Sequence, residues 1–110
     1  MSPRPLGYAT LAVLKALAEG HRYGFDVIDH TGLPSGTVYP ALSTLNRRKL
    51  VESAWEEQDR AQADGRPRRR YYELTTAGRV MLRESLERLE DLGVGAWQID
   101  LGLWTRLRIF

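Results

Sequence analysis

The sequence contains no cysteine and only two histidines in 110 residues. The first absence excludes a disulfide framework and any thiolate metal site. His21 and His30 lack metal-ligand spacing, so neither a metal nor another cofactor is expected. His21, Asp26 and Ser35 include the residue types of a catalytic triad, but nothing around Ser35 looks like a nucleophile elbow. A phosphate-binding glycine loop is also missing. Together these gaps argue against an enzyme. Long apolar runs are scarce too. "MSPRPLGYATLAVLKALAEG" holds one short run, broken by Lys15, and reads as an amphipathic helix, not a signal peptide or membrane span. The expectation is a cytoplasmic protein with no membrane partner.

What is present suits one globular domain: 43% of residues are hydrophobic and 27% charged. Leu6, Leu11, Leu14, Leu17 and Ala18 fall at helical spacing, which predicts a helix over about 6–19, stopped by Gly20. "RYGFDVIDHTG" predicts a short second helix over about 23–30. In "LPSGTVYPALSTLNRRKL", Ser35 is a candidate N-cap, and Val38, Leu42 and Leu45 share one face. Pro40 is tolerable if the helix proper begins at Thr37, because it then lies in the first turn. From Leu50 the period changes to alternation. Val51, Ser53 and Trp55 form one side of a strand, with Trp55 expected in the core. "QDRAQADGRPR" is expected to be a loop, and "RRYYEL" a second strand with Tyr72 and Leu74 on one face. Thr75 can cap a last helix over about 76–92. Beyond it, the apolar tail "AWQIDLGLWTRLRIF" fits helix or strand spacing equally.

Charge is unevenly placed. "GRPRRRYYEL", residues 65–74, carries four arginines against one acid, whereas the whole chain nets only +2. The order helix–helix–helix–strand–strand–helix, with a polar third helix and a basic hairpin tip, is the layout of a winged helix-turn-helix. The fold class expected is therefore mainly α with a small β-hairpin: residues 1–75 as a winged helix-turn-helix, and 76–110 as a C-terminal dimerisation helix and apolar tail. In that layout the third helix enters a major groove, and wing arginines reach phosphates or a narrow minor groove.

The segments "LAVLKAL", "YGFDV", "LPSGTVYPALSTLNRRKLVES" and "GRPRRRYYELTTAGR" resemble the PadR-type transcriptional regulators, specifically the small members. The likeness runs from about Leu11 to Arg79. It implies a homodimer that binds palindromic promoter DNA, usually as a repressor, with release by an effector in many members. Carried onto this chain, it places Ser35, Gly36, Thr37, Tyr39 and Pro40 against DNA from the recognition helix, and Arg66 and Arg68 from the wing. Lys49 stands where the family usually has Gly, which raises the question of how that turn is shaped.

The residues themselves add Ser43 and Arg47 to the double-stranded-DNA face of helix 35–48, with the basic wing spanning 58–70. Leu82, Leu86, Leu89, Trp97, Leu101 and Trp104 are candidates for a dimer interface. Trp97 and Trp104, paired across it, could make a flat pocket for a small aromatic or cationic effector. The alternative function is a winged-helix protein-interaction or ligand-sensing module without specific DNA binding. Glu56, Glu57, Asp59 and Asp64 at the wing's base favour that alternative if they face a phosphate backbone.

Overall fold

A computed structural model describes residues 4–92. Helices α1 (Tyr8–Ala18), α2 (Gly24–Thr31) and α3 (Ser35–Arg47) precede strand β1 (Val51–Trp55). A short helix α4 (Gln58–Ala63), strand β2 (Arg70–Leu74) and helix α5 (Thr76–Asp91) follow. The chain is thus mainly helical with one small β-hairpin, as the sequence predicts.

The core is built where the three helical stripes meet. Leu14, Leu42, Leu45, Val13, Val27 and Val38 are all fully buried, each worth roughly 1.5–3 kcal/mol of burial. Val51 and Leu74, paired across the hairpin, close the core from below. Leu11 and Ala12 of α1 form a second cluster with Leu82, Leu86 and Leu89 of α5 packed against it. Those three leucines, expected at a dimer seam, therefore also hold α5 to α1 of their own chain. Trp97, Leu101 and Trp104 lie outside the described residues.

β1 and β2 pair antiparallel, in a register that sets Val51 opposite Leu74, Ser53 opposite Tyr72 and Trp55 opposite Arg70. An isolated bridge from Tyr23 to Tyr71, with the Tyr72 amide donating to the Arg22 carbonyl at 2.8 Å, ties β2 to the α1–α2 connection. The hairpin is rooted on both sides at its core end and runs outward from there.

Several expectations change. Trp55 is not core: it is 57% exposed, because the hairpin has run past the core by the time it reaches the Trp55–Arg70 pair. Ser35 is not the N-cap of α3. Pro34 takes that position without a side-chain bond, so Pro40 is the sixth helical residue and lies in the second turn. A proline there removes the hydrogen bond to the carbonyl four residues back, that of Gly36. Both residues are on the exposed side of α3, so the freed carbonyl does not face the core. The 58–68 stretch is not all loop, since α4 occupies six residues of it and buries Ala61.

Thr75 does cap α5, its hydroxyl oxygen accepting from the Gly78 amide at 3.0 Å. The same hydroxyl donates to the Lys49 carbonyl at 2.8 Å, and the Thr75 amide donates to the Leu50 carbonyl at 3.0 Å. The start of α5 is thereby clamped onto the α3–β1 turn. Gly78 is required at this joint, because a Cβ there would overlap the Leu50 carbonyl oxygen. Lys49 itself adopts the left-handed conformation, φ 61°, the conformation that glycine favours.

Candidate nucleic-acid interface

Helix α3 divides its residues cleanly. Val38, Ala41, Leu42 and Leu45 face inward, whereas Ser35, Gly36, Tyr39, Pro40, Ser43 and Arg47 are exposed. Steps of three and four residues along 36, 40, 43 and 47 align them as one stripe along the helix. Thr37 is half-buried at its edge. Every residue selected from the recognition helix is therefore on or beside a single open face. Tyr39 leans over the start of α2: a Cβ on Gly24 would come within 2.5 Å of its ring, so Gly24 leaves the space this tyrosine fills.

The wing is built differently. The Glu56 amide donates to the Arg69 carbonyl at 2.8 Å, extending the ladder beyond Trp55. The Glu56 side chain is almost fully buried and collects the surrounding donors. Arg66 meets it in bidentate fashion, Nη1 to Oε1 at 2.5 Å and Nη2 to Oε2 at 2.8 Å. The Arg69 amide and the Tyr71 hydroxyl donate to the same carboxylate at 3.3 Å each. The Arg66 guanidinium, with this help, holds the Glu56 carboxyl down to about 2 from its ordinary 4.5, and Arg66 is raised in return. Asp64 adds a third contact to Arg66, at 3.1 Å.

Arg66 and Arg68, paired in the sequence reading, thus have different surroundings. The Arg66 guanidinium is engaged within the wing by two carboxylates. Arg68 donates only its Nε, to the Glu56 carbonyl oxygen at 2.8 Å, and is exposed. Its guanidinium lies 5.7 Å from the Trp55 ring centre. Of the acids expected to repel a phosphate backbone, Glu56 is turned inward and neutralised by Arg66. Asp64 is partly offset by the same arginine.

Between the wing and α3 runs a groove of about 410 Å³, lined by Tyr23, Phe25, Tyr39, Trp55, Arg68 and Arg70 among others. Arg70 is fixed by Ser53, whose hydroxyl oxygen accepts from Nε at 3.0 Å and from Nη2 at 2.7 Å. Arg69 lies 4.3 Å from the Tyr23 ring centre. Sequence reasoning places Arg69 and Arg70 in the wing without naming them as contacts, and misses Tyr23, Phe25 and Trp55 as members of this surface. Only the strand register, which sets Trp55 against Arg70, could have brought two of them together.

Elsewhere His21 and His30 stack at 3.9 Å, with His21 Nδ1 3.2 Å from Asp26 Oδ2. No group of three or more metal-ligating side chains occurs among the described residues. Among the same residues, no helix is long and apolar enough to cross a membrane.

A three-helix core, an exposed third helix and a hairpin beside it define a winged helix-turn-helix. Comparison with known proteins narrows the class. The PadR-like family of transcriptional regulators matches residues 13–84, and the chain belongs to that family. It is a regulator of transcription, not an enzyme. Solved structures agree. A PadR family transcription regulator of Clostridium difficile superimposes with a TM-score of 0.69 at 25% identity, over 79% of this chain and 92% of that one. A PadR-like transcription factor of Bacteroides fragilis gives 0.66 at 26% identity, over 76% and 82% of the respective chains. A PadR-like regulator of Bacillus cereus, at 22% identity, shares the fold with a TM-score of 0.60, over 76% and 82%. No curated protein matches the sequence.

Proposed function

We propose that this chain is a homodimeric repressor that binds palindromic promoter DNA and is released by a small effector. The observation that carries this reading is the single open face of α3 beside a wing whose exposed arginines border the same groove. Ser35, Gly36, Thr37, Tyr39, Pro40, Ser43 and Arg47 approach the major groove, while Arg68 contacts the backbone or minor groove from the wing. Arg66 acts at the same surface by fixing the wing, since its own charge is met by Glu56 and Asp64. Dimerisation is assigned to Leu82, Leu86 and Leu89 with the tail residues Trp97, Leu101 and Trp104. Two recognition helices in successive major grooves then stand about 34–36 Å apart.

In vitro selection from random duplex DNA at near-physiological salt tests this directly. The expected result is an enriched inverted repeat, which establishes sequence recognition and two-fold symmetry together. Weak retention without enrichment would replace the reading with a protein-interaction or ligand-sensing module.

A further inference from the structure

Three consecutive arginines, Arg68, Arg69 and Arg70, lead into the second arm of the hairpin, and extended chain points them to alternate faces. Arg68 and Arg70 share the face of Trp55, their guanidiniums 5.7 and 5.6 Å from its ring centre. Arg69 points the other way. It is half-buried, and its guanidinium stands 4.3 Å from the centre of the Tyr23 ring. Among the described residues, it makes no ion pair with a carboxylate. By charge alone Arg69 would be a further wing contact to DNA; by position it is committed to Tyr23.

Tyr23 is where the wing meets the helices. It precedes α2 as an extended residue and pairs with Tyr71 in the isolated antiparallel bridge. Bridged residues carry their side chains on one face, and these two rings meet edge to face with centres 5.7 Å apart. The Tyr71 hydroxyl donates to Glu56, the carboxylate on which the wing converges. On its other side Tyr23 leads directly into Gly24, whose missing Cβ leaves room for Tyr39 of α3. A continuous path therefore runs from Glu56 through Tyr71 and Tyr23 to the recognition helix. The Arg69 guanidinium over Tyr23 closes it.

We infer that Arg69 and Tyr23 are positioning residues for DNA recognition. Their cation–π contact, beside the Tyr23–Tyr71 pair, locks the wing to the start of α2 and so fixes its angle to the recognition helix. This role rests on the DNA-binding reading and deepens it, because it gives three adjacent arginines two different tasks. Arg68 and Arg70 present charge to the groove, whereas Arg69 sets where that charge stands relative to α3. A guanidinium suits the place because it stacks on a tyrosine without needing an acid beside it. An acid there would bring negative charge to an edge that meets phosphates. Without the lock the hairpin keeps its core root at Val51 and Leu74, yet its outer arm is free to swing. Ordering that arm on DNA then lowers affinity.

The test combines duplex binding with amide exchange in the free protein. Arg69→Ala should weaken a selected duplex about tenfold yet leave the slope of log affinity against log salt nearly unchanged, since no phosphate contact is removed. Tyr23→Leu should lose at least as much. Adding Arg69→Ala to Tyr23→Leu should bring no further loss, because both break the same contact. In the free protein, the Tyr72 amide donates to the Arg22 carbonyl at this joint, and it should exchange about tenfold faster in either variant. A slope flatter by about 0.9 in Arg69→Ala would make that residue a phosphate contact and overturn the positioning role. Additive losses in the double variant would overturn it too, since the two side chains would then act separately. So would Tyr72 exchange at the wild-type rate, which would show a wing that holds its place without this contact. Should no duplex be selected, the DNA-binding reading fails by itself, and the Tyr72 rates still decide whether Arg69 locks the wing.

Discussion

The open face of α3 and the wing are neighbouring surfaces made by opposite means. The helix needs nothing beyond its own period: burying Val38, Ala41, Leu42 and Leu45 turns Gly36, Pro40, Ser43 and Arg47 outward, and the backbone holds them there. The wing has no such frame. Past the Trp55–Arg70 pair it leaves the core, and its shape comes from side chains converging on Glu56. A surface rigid by periodicity can spend all its polar groups on a partner. One rigid by an ion pair must retain some for itself, and here Arg66 is retained while Arg68 is not.

Breaking the root that both share should have the largest effect. Gly78→Ala drives a Cβ into the Leu50 carbonyl at the turn joining α3 to β1, so a loss of about 3 kcal/mol or more is expected. Thermal or urea unfolding of the variant measures it, and a Tm near wild type would show that α5 can lift away without cost. Glu56→Ala acts on the wing alone. Duplex affinity should fall about tenfold as the wing loses its preorganised form, while the sequence preference set by α3 stays the same. A changed preference in a repeat selection would mean that the two surfaces are not separable.

The Glu56 pair also has a pH signature. Its carboxyl titrates lower in the folded protein than the ordinary 4.5, so the stabilisation is complete above about 4.5 and lost as pH falls towards about 2. The unfolding midpoints of wild type and Glu56→Gln should therefore converge over that window. Parallel curves would mean the pair does not couple to folding.

The two arginines sharpen the contrast further. Arg68→Ala should flatten the dependence of log affinity on log salt by about 0.9, one phosphate contact's worth. Arg66→Ala should weaken binding yet leave the slope nearly unchanged, because Glu56 already neutralises that charge. Equal slopes for the two variants would make the wing's internal pairing irrelevant to DNA.

This division explains what the sequence reveals and what it conceals. The helices are legible because their stripes are written in apolar spacing: Leu11, Leu14 and Leu17 on α1, and Val38, Leu42 and Leu45 on α3. The hairpin strands are legible by alternation, and Thr75 by its cap. Alternation says which side of a strand faces the core but not where along the strand the core ends, so Trp55 reads as buried when it is not. Helix α4 is six residues with Ala61 as its one buried side chain, too short to show a period. Arg66 and Arg68 are indistinguishable as letters. What separates them is Glu56, ten residues before Arg66, whose carboxylate the hairpin register brings to one and not the other.

The smallest expected effect tests whether turn and surface are independent. The ends of α1, α3 and α4 close in the same way. His21 and Gly20 donate back to Ala16 and Leu17, Leu50 and Lys49 to Leu45 and Asn46, and Arg66 and Gly65 to Ala61 and Gln62. This is the paired six-to-one and five-to-two pattern that requires a left-handed residue after the cap. Gly20 (φ 104°) and Gly65 (φ 66°) take that conformation freely, whereas Lys49 (φ 61°) carries a Cβ against the following carbonyl. The turn keeps its form despite the lysine because Leu50 is buried on one side and Thr75 bonds its two carbonyls on the other. Lys49→Gly should therefore stabilise the fold by about 1 kcal/mol without moving α3. Denaturant midpoint and duplex affinity measured on the same variant check both halves. A gain in stability with altered sequence preference would show that the strained turn sets the angle at which the recognition helix is presented.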